Sequence, residues 1–401
     1  MKIYLVGGAV RDQLLGLAIK DKDYLVVGAT PAELLALGYQ SVGKDFPVFL
    51  HPRTKAEYAL ARTERKQGQG YTGFACYFAP DVTVEQDLQR RDLTINAMAL
   101  DESDGGIVDP FGGQQDLAHK LLRHVSSAFV EDPLRVLRVA RFYARFYPLG
   151  FTVADETMLL LRQLVTSGEL VHLTAERVWQ ETAKALQEPT PAAYLLLLQQ
   201  IGAFPTLLPE FSTDKTITDI SQPLYSLSAV HYAAQLSPRL DVRFAVVCQY
   251  LALAPLQQLC QRLRVPNDCK DLAVLACQYV SWLMRADRLS AQELQTLFDS
   301  IDLWRKPERL PLLLCCAQAA QLAADRHPLG CQNDSLPMTV TAESAHSPLP
   351  QAAYLTAIAT AARAVDIKSL VAQGFQGEAM RSAVAKARLT AIDDTKRQWQ
   401  L

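Results

Sequence analysis

The chain has 401 residues, of which 49% are hydrophobic and 20% charged, the make-up of a soluble globular protein long enough for more than one domain. Its formal net charge of −2 excludes a polycation, so any nucleic-acid surface has to be a local patch. Eight cysteines without metal-ligand spacing read as reduced, mostly buried thiols of a cytoplasmic protein; the opening Met1 to Val6 is too short for a signal peptide, and the most apolar stretch, Leu310 to Ala324, falls short of the ~18–20 residues of a membrane span.

From the start of the chain, Lys2 to Val6 reads as a strand, Gly7-Gly8 as a tight turn, and Ala9 to Leu15 as a helix. Asp21-Lys22-Asp23 then runs into a second strand, Tyr24–Val27. A glycine turn before a helix presents backbone N–H groups to a phosphate. Two aspartates two residues apart on a strand share a face, which suits a magnesium ion and a nucleoside triphosphate. Further strands are expected at Val48–Leu50, Glu57–Thr63 and Ile107–Val108. Beyond about residue 115 helical periodicity takes over, in stretches marked by Leu134, Val136, Leu137 and Ala140, by Val178, Thr182 and Leu186, and by Leu195 to Ile201, with prolines punctuating between helices. Cys331 to Pro350, rich in Ser, Pro, Asn and Thr, reads as a linker, and Arg381 to Ile392 as a basic helix. The fold class expected is α+β: a head with a small mixed sheet and helices at 1–115, a helical neck at 116–210, a helical domain at 211–330, and a linker with a helical tail at 331–401.

The order Gly7-Gly8-Ala9-Val10-Arg11-Asp12, then Asp21-x-Asp23, resembles the signature of class II tRNA nucleotidyltransferases, the CCA-adding enzymes, which bacterial poly(A) polymerases share. The likeness continues through Arg62-Thr-Glu-Arg65, Arg90-Arg-Asp-Leu-Thr-Ile-Asn96 and Glu131-Asp-Pro-Leu-Arg-Val-Leu-Arg-Val-Ala-Arg141, and reaches the C-terminal end more loosely. It implies attack of an RNA 3′-hydroxyl on a nucleotide α-phosphate with loss of pyrophosphate, a reaction that depends on positioning and charge stabilisation. Asp21 and Asp23 are then the catalytic pair and the Mg2+ ligands. Gly8 and Arg11 would hold the triphosphate; Arg91, Asp92 and Asn96 would contact the nucleotide. The glycine-rich segment around Gly68, Gly70 and Gly73 would be a flexible loop, with Glu64 either its anchor or a further carboxylate near the metals.

Asp132 and Arg135 offer an acceptor beside a donor. Cytosine and adenine present an exocyclic amino group beside a ring-nitrogen acceptor, whereas guanine and uracil present a carbonyl beside an N–H, so such a pair matches C and A and opposes G and U. Asp132-Pro133 is equally an ordinary helix start, and the two roles can coexist. Arg135, Arg138, Arg141 and Arg145 recur on one helical face with no carboxylate spaced along that helix to neutralise them, and the resemblance assigns Arg138 and Arg141 to the nucleotide. Asp12 reads as a partner for a neighbouring basic residue.

The segment Leu236 to Tyr250 resembles the C-terminal phosphohydrolase domain of some of these enzymes, but Gln249-Tyr250 stands where that domain has its His-Asp pair, and Tyr225 where a His is expected. Neither glutamine nor tyrosine is a usual ligand for a catalytic divalent ion, so a metal-free helical domain without phosphohydrolase activity is expected. His231 and His327 read as structural. Lys386 and Arg388 in the tail are candidate tRNA backbone contacts. The expected partners are tRNA, CTP and ATP, with no membrane, no DNA and a monomeric state. A poly(A) polymerase, a C-only or A-only adding enzyme, and a non-catalytic tRNA-binding protein are the alternative readings.

Overall fold

The structure is a computed structural model that describes residues 1–42, 48–66, 74–211, 222–326 and 349–399, with backbone alone for 64–66, 74–76, 222–226 and 326. It comprises two compact units, one of residues 1–189 with 193–207, the other of residues 190–192 with 208–401. The mixed head followed by helices is the α+β architecture expected.

In the first unit β1 (Lys2–Val6), α1 (Gly8–Leu14), β2 (Asp23–Val27), α2 (Pro31–Ala36), β3 (Gln40–Ser41), β4 (Val48–Leu50) and β5 (Glu57–Leu60) follow in chain order. The hairpin of β6 (Thr63–Lys66) and β7 (Phe74–Tyr77) comes next, then α3 (Val84–Gln89), β8 (Ala99–Asp101) and β9 (Ile107–Val108). Seven strands form one sheet in the order β3-β4-β5-β2-β1-β8-β9, in which β2 pairs antiparallel with β1 and parallel with β5. The alternation of side chains sorts the apolar residues by face. Tyr4, Val6 and Leu25 pack with Val84 and Leu88 of α3, while Val26 and Leu60 pack with Leu34 of α2 and Phe49. Both helices begin on a reciprocal Thr cap, Thr30 with Glu33 and Thr83 with Gln86.

Two strand expectations differ from what is found. Strand β2 begins at Asp23, so Asp21 lies on the exposed approach to it and not within it. The run Glu57–Thr63 is broken after Leu60: Ala61 donates its N–H to Val26 O at 2.9 Å, completing the large sheet, and Thr63 opens the separate hairpin.

After the sheet come α4 (Gly113–His119), α5 (Leu134–Phe146), α6 (Asp155–Thr166) and α7 (Ala175–Gln187). One face of α5 is apolar, with Val136, Leu137, Val139 and Ala140 fully buried. The second unit is helical. Its core is built by helices Gln222–Leu236, Leu240–Cys248, Asn267–Met284 and Arg309–Arg326, and it ends in helices Pro350–Arg363, Ile367–Ala372 and Gly377–Trp399. Leu310–Ala324 lies inside one of these helices, and no helix among the described residues is long and apolar enough to cross a membrane.

Candidate active site

Strand register brings the glycine turn and the aspartates together. Val6, the last residue of β1, faces Asp23, the first of β2, so the chain enters the Gly7-Gly8 turn beside a carboxylate. Gly7 has φ +68°, a left-handed conformation that glycine adopts without steric cost, and donates its N–H to Met98 O at 3.2 Å. A Cβ at Gly7 would lie 2.8 Å from Arg91 Nη1, so the missing side chain lets that guanidinium lie against the turn.

Arg91 is placed by a buried anion absent from the sequence expectations. Asp87 in the last turn of α3 accepts from Arg90 Nη2 at 2.9 Å and Arg91 Nη2 at 3.1 Å. Burial would raise the Asp87 pKa, but the charges of Arg90 and Arg91 override it and hold the carboxyl below its ordinary value. The spacing three and four residues ahead of the arginine pair is the sequence signal for it. Arg91 Nε is buried without a hydrogen-bond partner among the described residues.

Asp21 and Asp23 are exposed, and neither has an ion-pair partner within hydrogen-bonding reach among the described residues. Partial loss of hydration raises the Asp23 pKa; the charge of Arg91 opposes that rise and the charge of Asp21 adds to it. The three groups thus share one electrostatic environment. A third carboxylate, Glu57, is the parallel register partner of Asp23, but no group of three His, Cys, Asp or Glu residues among those described stands close enough to hold a metal ion.

Arg11 and Asn96 lie beneath the turn. The Arg11 guanidinium donates Nε to Asp12 Oδ1 at 2.8 Å and Nη1 to Asn96 Oδ1, and lies about 5 Å from the ring centres of Phe142 and Phe146. The pairing with Arg11 is the neighbouring partnership expected of Asp12, which also accepts from the distant Arg145 Nη2 at 2.8 Å. Asn96 passes its other end to Asp92, Nδ2 to Oδ1 at 3.0 Å. Asp92 is buried and also accepts from Arg138 Nε at 2.7 Å and the Leu93 N–H at 2.9 Å. Burial would raise its pKa, but the charge of Arg138 and these hydrogen bonds hold the group far below the usual carboxylate range.

The arginine stripe of α5 is neutralised after all, by carboxylates from other elements. Arg138 pairs with Asp92, Arg141 with Glu181 at 2.7 Å and Glu188 at 3.4 Å, and Arg145 with Asp12. Arg135 is buried and donates to two main-chain carbonyls, Ala128 O at 2.7 Å and Arg90 O at 2.6 Å. Asp132 does cap the helix, Oδ1 accepting from the Leu134 N–H at 3.1 Å, while Oδ2 accepts from Arg177 Nη2 at 2.9 Å. The guanidinium in contact with Asp132 is therefore that of Arg177, which the sequence reading passed over.

Glu64 lies on β6, with its side chain outside the described residues, as are Gly68, Gly70, Gly73 and His327. In the second unit Gln249 is buried at the end of helix Leu240–Cys248 with neither amide atom partnered among the described residues, Tyr250 is partly exposed, and the Tyr225 side chain is outside the described residues. His231 is buried and touches Gln235 at 3.1 Å; burial lowers its pKa and favours the neutral ring. In the tail Lys386 is exposed, whereas Arg388 stacks on the Trp304 ring with 3.7 Å to its centre.

Residues 3–123 match the family described as the poly A polymerase head domain, and residues 150–215 match a probable RNA- and SrmB-binding site of polymerase A. The multifunctional CCA protein of Aliivibrio salmonicida (strain LFI1238) is 48% identical to the chain, and that of Vibrio vulnificus (strain YJ016) 47%, each over 98% of both chains. Among solved structures, the Thermotoga maritima CCA-adding enzyme complexed with tRNA superposes with a TM-score of 0.68 at 22% identity, covering 98% of this chain and 87% of that one. The Bacillus stearothermophilus CCA-adding enzyme in complex with CTP gives 0.63 at 23%, covering 98% and 88%. At those identities the likeness is one of fold.

Proposed function

The chain belongs to the family of the multifunctional CCA proteins and adds CCA to the 3′ end of tRNA from CTP and ATP; on that premise we propose how its own residues divide the work. The observation that carries the assignment is the convergence of Arg91, the Gly7-Gly8 turn and Asp23. The Arg91 guanidinium, whose buried Nε has no hydrogen-bond partner among the described residues, lies against a glycine turn and acts electrostatically on Asp23.

Asp21 and Asp23, exposed and unneutralised, suit a hard divalent cation that takes oxygen ligands and keeps several waters. Mg2+ bound there would supply charge neutralisation at the α-phosphate and a more acidic attacking hydroxyl. Arg91 and the N–H of Gly8 orient the triphosphate. Arg11 supports the turn from below through Asp12 and Asn96, and Asp92 and Asn96 fix the floor on which the sugar rests. Arg138 and Arg141 project from α5 toward the nucleotide. Asp132, with Arg135 behind it, reads the amino edge of C and A. Glu64 serves the neighbouring loop. We read the chain as four functional segments, head to 115, neck to 210, helical domain to 330 and tail to 401, acting on tRNA and not DNA, as a cytoplasmic monomer. The helical domain lacks phosphohydrolase activity in this reading, because Gln249 and Tyr250 offer an amide and a phenol where an imidazole and a carboxylate would be needed.

The test is addition to a tRNA that ends just before CCA, with magnesium and with CTP and ATP separately and together. Two additions with CTP and a third only with ATP present are expected. A long ladder with ATP alone would instead mean a poly(A) polymerase.

A further inference from the structure

Asp132 is held at both oxygens. Oδ1 accepts the Leu134 N–H at 3.1 Å and Oδ2 accepts Arg177 Nη2 at 2.9 Å, and both side chains of the ion pair are largely withdrawn from solvent, at 22% and 19% exposure. Arg135, by contrast, spends its donors on the carbonyls of Ala128 and Arg90 at 2.7 and 2.6 Å, and moving it would strand both. Arg177 also sits where helix electrostatics disfavour it. It is the third residue of α7, whose cap is Thr174, so its positive charge stands at the positive end of the helix. The carboxylate opposite offsets that placement. One turn later on the same helix Glu181 reaches Arg141, so α7 supplies a cation to the carboxylate at the start of α5 and an acid to an arginine along it.

We propose that Arg177 is a specificity-positioning residue: it fixes the plane of the Asp132 carboxylate so that a remaining lone pair accepts the exocyclic amino group of cytosine or adenine and meets the carbonyl of uracil or guanine head-on. Each carboxylate oxygen has two acceptor sites, so the clamp leaves one on each for the base. Loss of Arg177 frees Asp132 to rotate about its cap, and the alignment with the amino edge is lost while the triphosphate contacts stay. The inference rests on the reading of Asp132 as the base-recognition carboxylate.

The experiment measures kcat/KM for the first addition to tRNA by the full chain, with CTP and with the pyrimidin-2-one ribonucleoside triphosphate, which keeps the sugar and triphosphate but lacks the 4-amino group. Arg177→Ala should lower the value for CTP by about 10- to 100-fold and leave the analogue within roughly twofold. Arg177→Lys, which keeps the charge but not the fork, should recover part of the loss and carries the test if the alanine variant does not fold. Equal losses for both nucleotides, or none for either, would overturn the proposal. Asp132→Ala separates it from the reading beneath it. If that variant keeps full preference for CTP over UTP, base recognition by Asp132 is wrong. If it loses that preference while Arg177→Ala keeps it, the role of Arg177 alone is wrong.

Discussion

Asp92 shows how a single buried charge is made tolerable, and why removing it is costly. Its carboxylate receives hydrogen bonds from Arg138, Asn96 and the Leu93 backbone, and Arg138 remains partly open to water. Asp92→Asn should therefore cost about 2 kcal/mol at pH 7, below the ~3–5 expected for a fully buried pair because solvent screens one partner. The folded pKa is depressed, so the stabilisation is complete above the unfolded value of about 3.9 and declines as the pH falls through and below it. Urea denaturation at pH 7 and pH 3 should find the gap between wild type and variant narrower at the lower pH. If Asp21 and Asp23 hold the cation as proposed, Asp21→Ala should reduce nucleotide addition at least about 100-fold while tRNA binding measured by filter retention is largely kept. The residues of the proposed site were legible as candidates, since Gly7-Gly8, Asp21-x-Asp23 and Arg90-Arg91-Asp92 stand in short spacings. Their partners were not: Asp12 meets Arg145, and Asp132 meets Arg177, across separations that no local pattern encodes.

At the scale of elements, α4 is fitted against the segment that carries Asn96 with no space to spare. A Cβ on Gly113 would come within 2.5 Å of Thr94 O and 2.8 Å of Met98 Cγ. Gly113→Ala should destabilise by about 1–3 kcal/mol, read as a lowered urea midpoint, and should weaken nucleotide addition because the Asn96–Asp92 contact moves with Thr94. Thr83→Ala removes the cap of the helix that holds Asp87 beneath Arg90 and Arg91, and should cost about 1 kcal/mol. Helices such as Leu134–Phe146 were visible because their apolar period runs through three turns or more. Strands Gln40–Ser41 and Ala99–Asp101 were not, because they lack the β-branched and aromatic residues that mark the equally short Val48–Leu50 and Ile107–Val108. The break after Leu60 was equally hidden: residues up to Ala61 bond to β2 while Thr63 pairs with Tyr77, and neither distant partner is encoded locally.

For the molecule as a whole, a net charge of −2 and a tRNA substrate require basic groups gathered locally, so tRNA affinity should fall at least about tenfold between 50 and 200 mM salt, measured by filter binding. Among the described thiols of the helical unit, Cys248, Cys260 and Cys316 should be silent at neutral pH. Burial pushes Cys248 and Cys316 well above the ordinary thiol value and Cys260 up to about 11, leaving little thiolate to react. Iodoacetamide at pH 8, followed by peptide mapping, should label these three far faster in the denatured chain than in the native one. The prior pairing of the α5 arginines has a further consequence. Each ion pair uses only part of the guanidinium: Arg138 gives Nε to Asp92, and Arg141 gives Nε to Glu181 and Nη1 to Glu188, out of five N–H donors apiece. The carboxylates therefore fix the planes of these groups before any ligand arrives, and the nucleotide contacts proposed for them would carry little further cost of side-chain ordering.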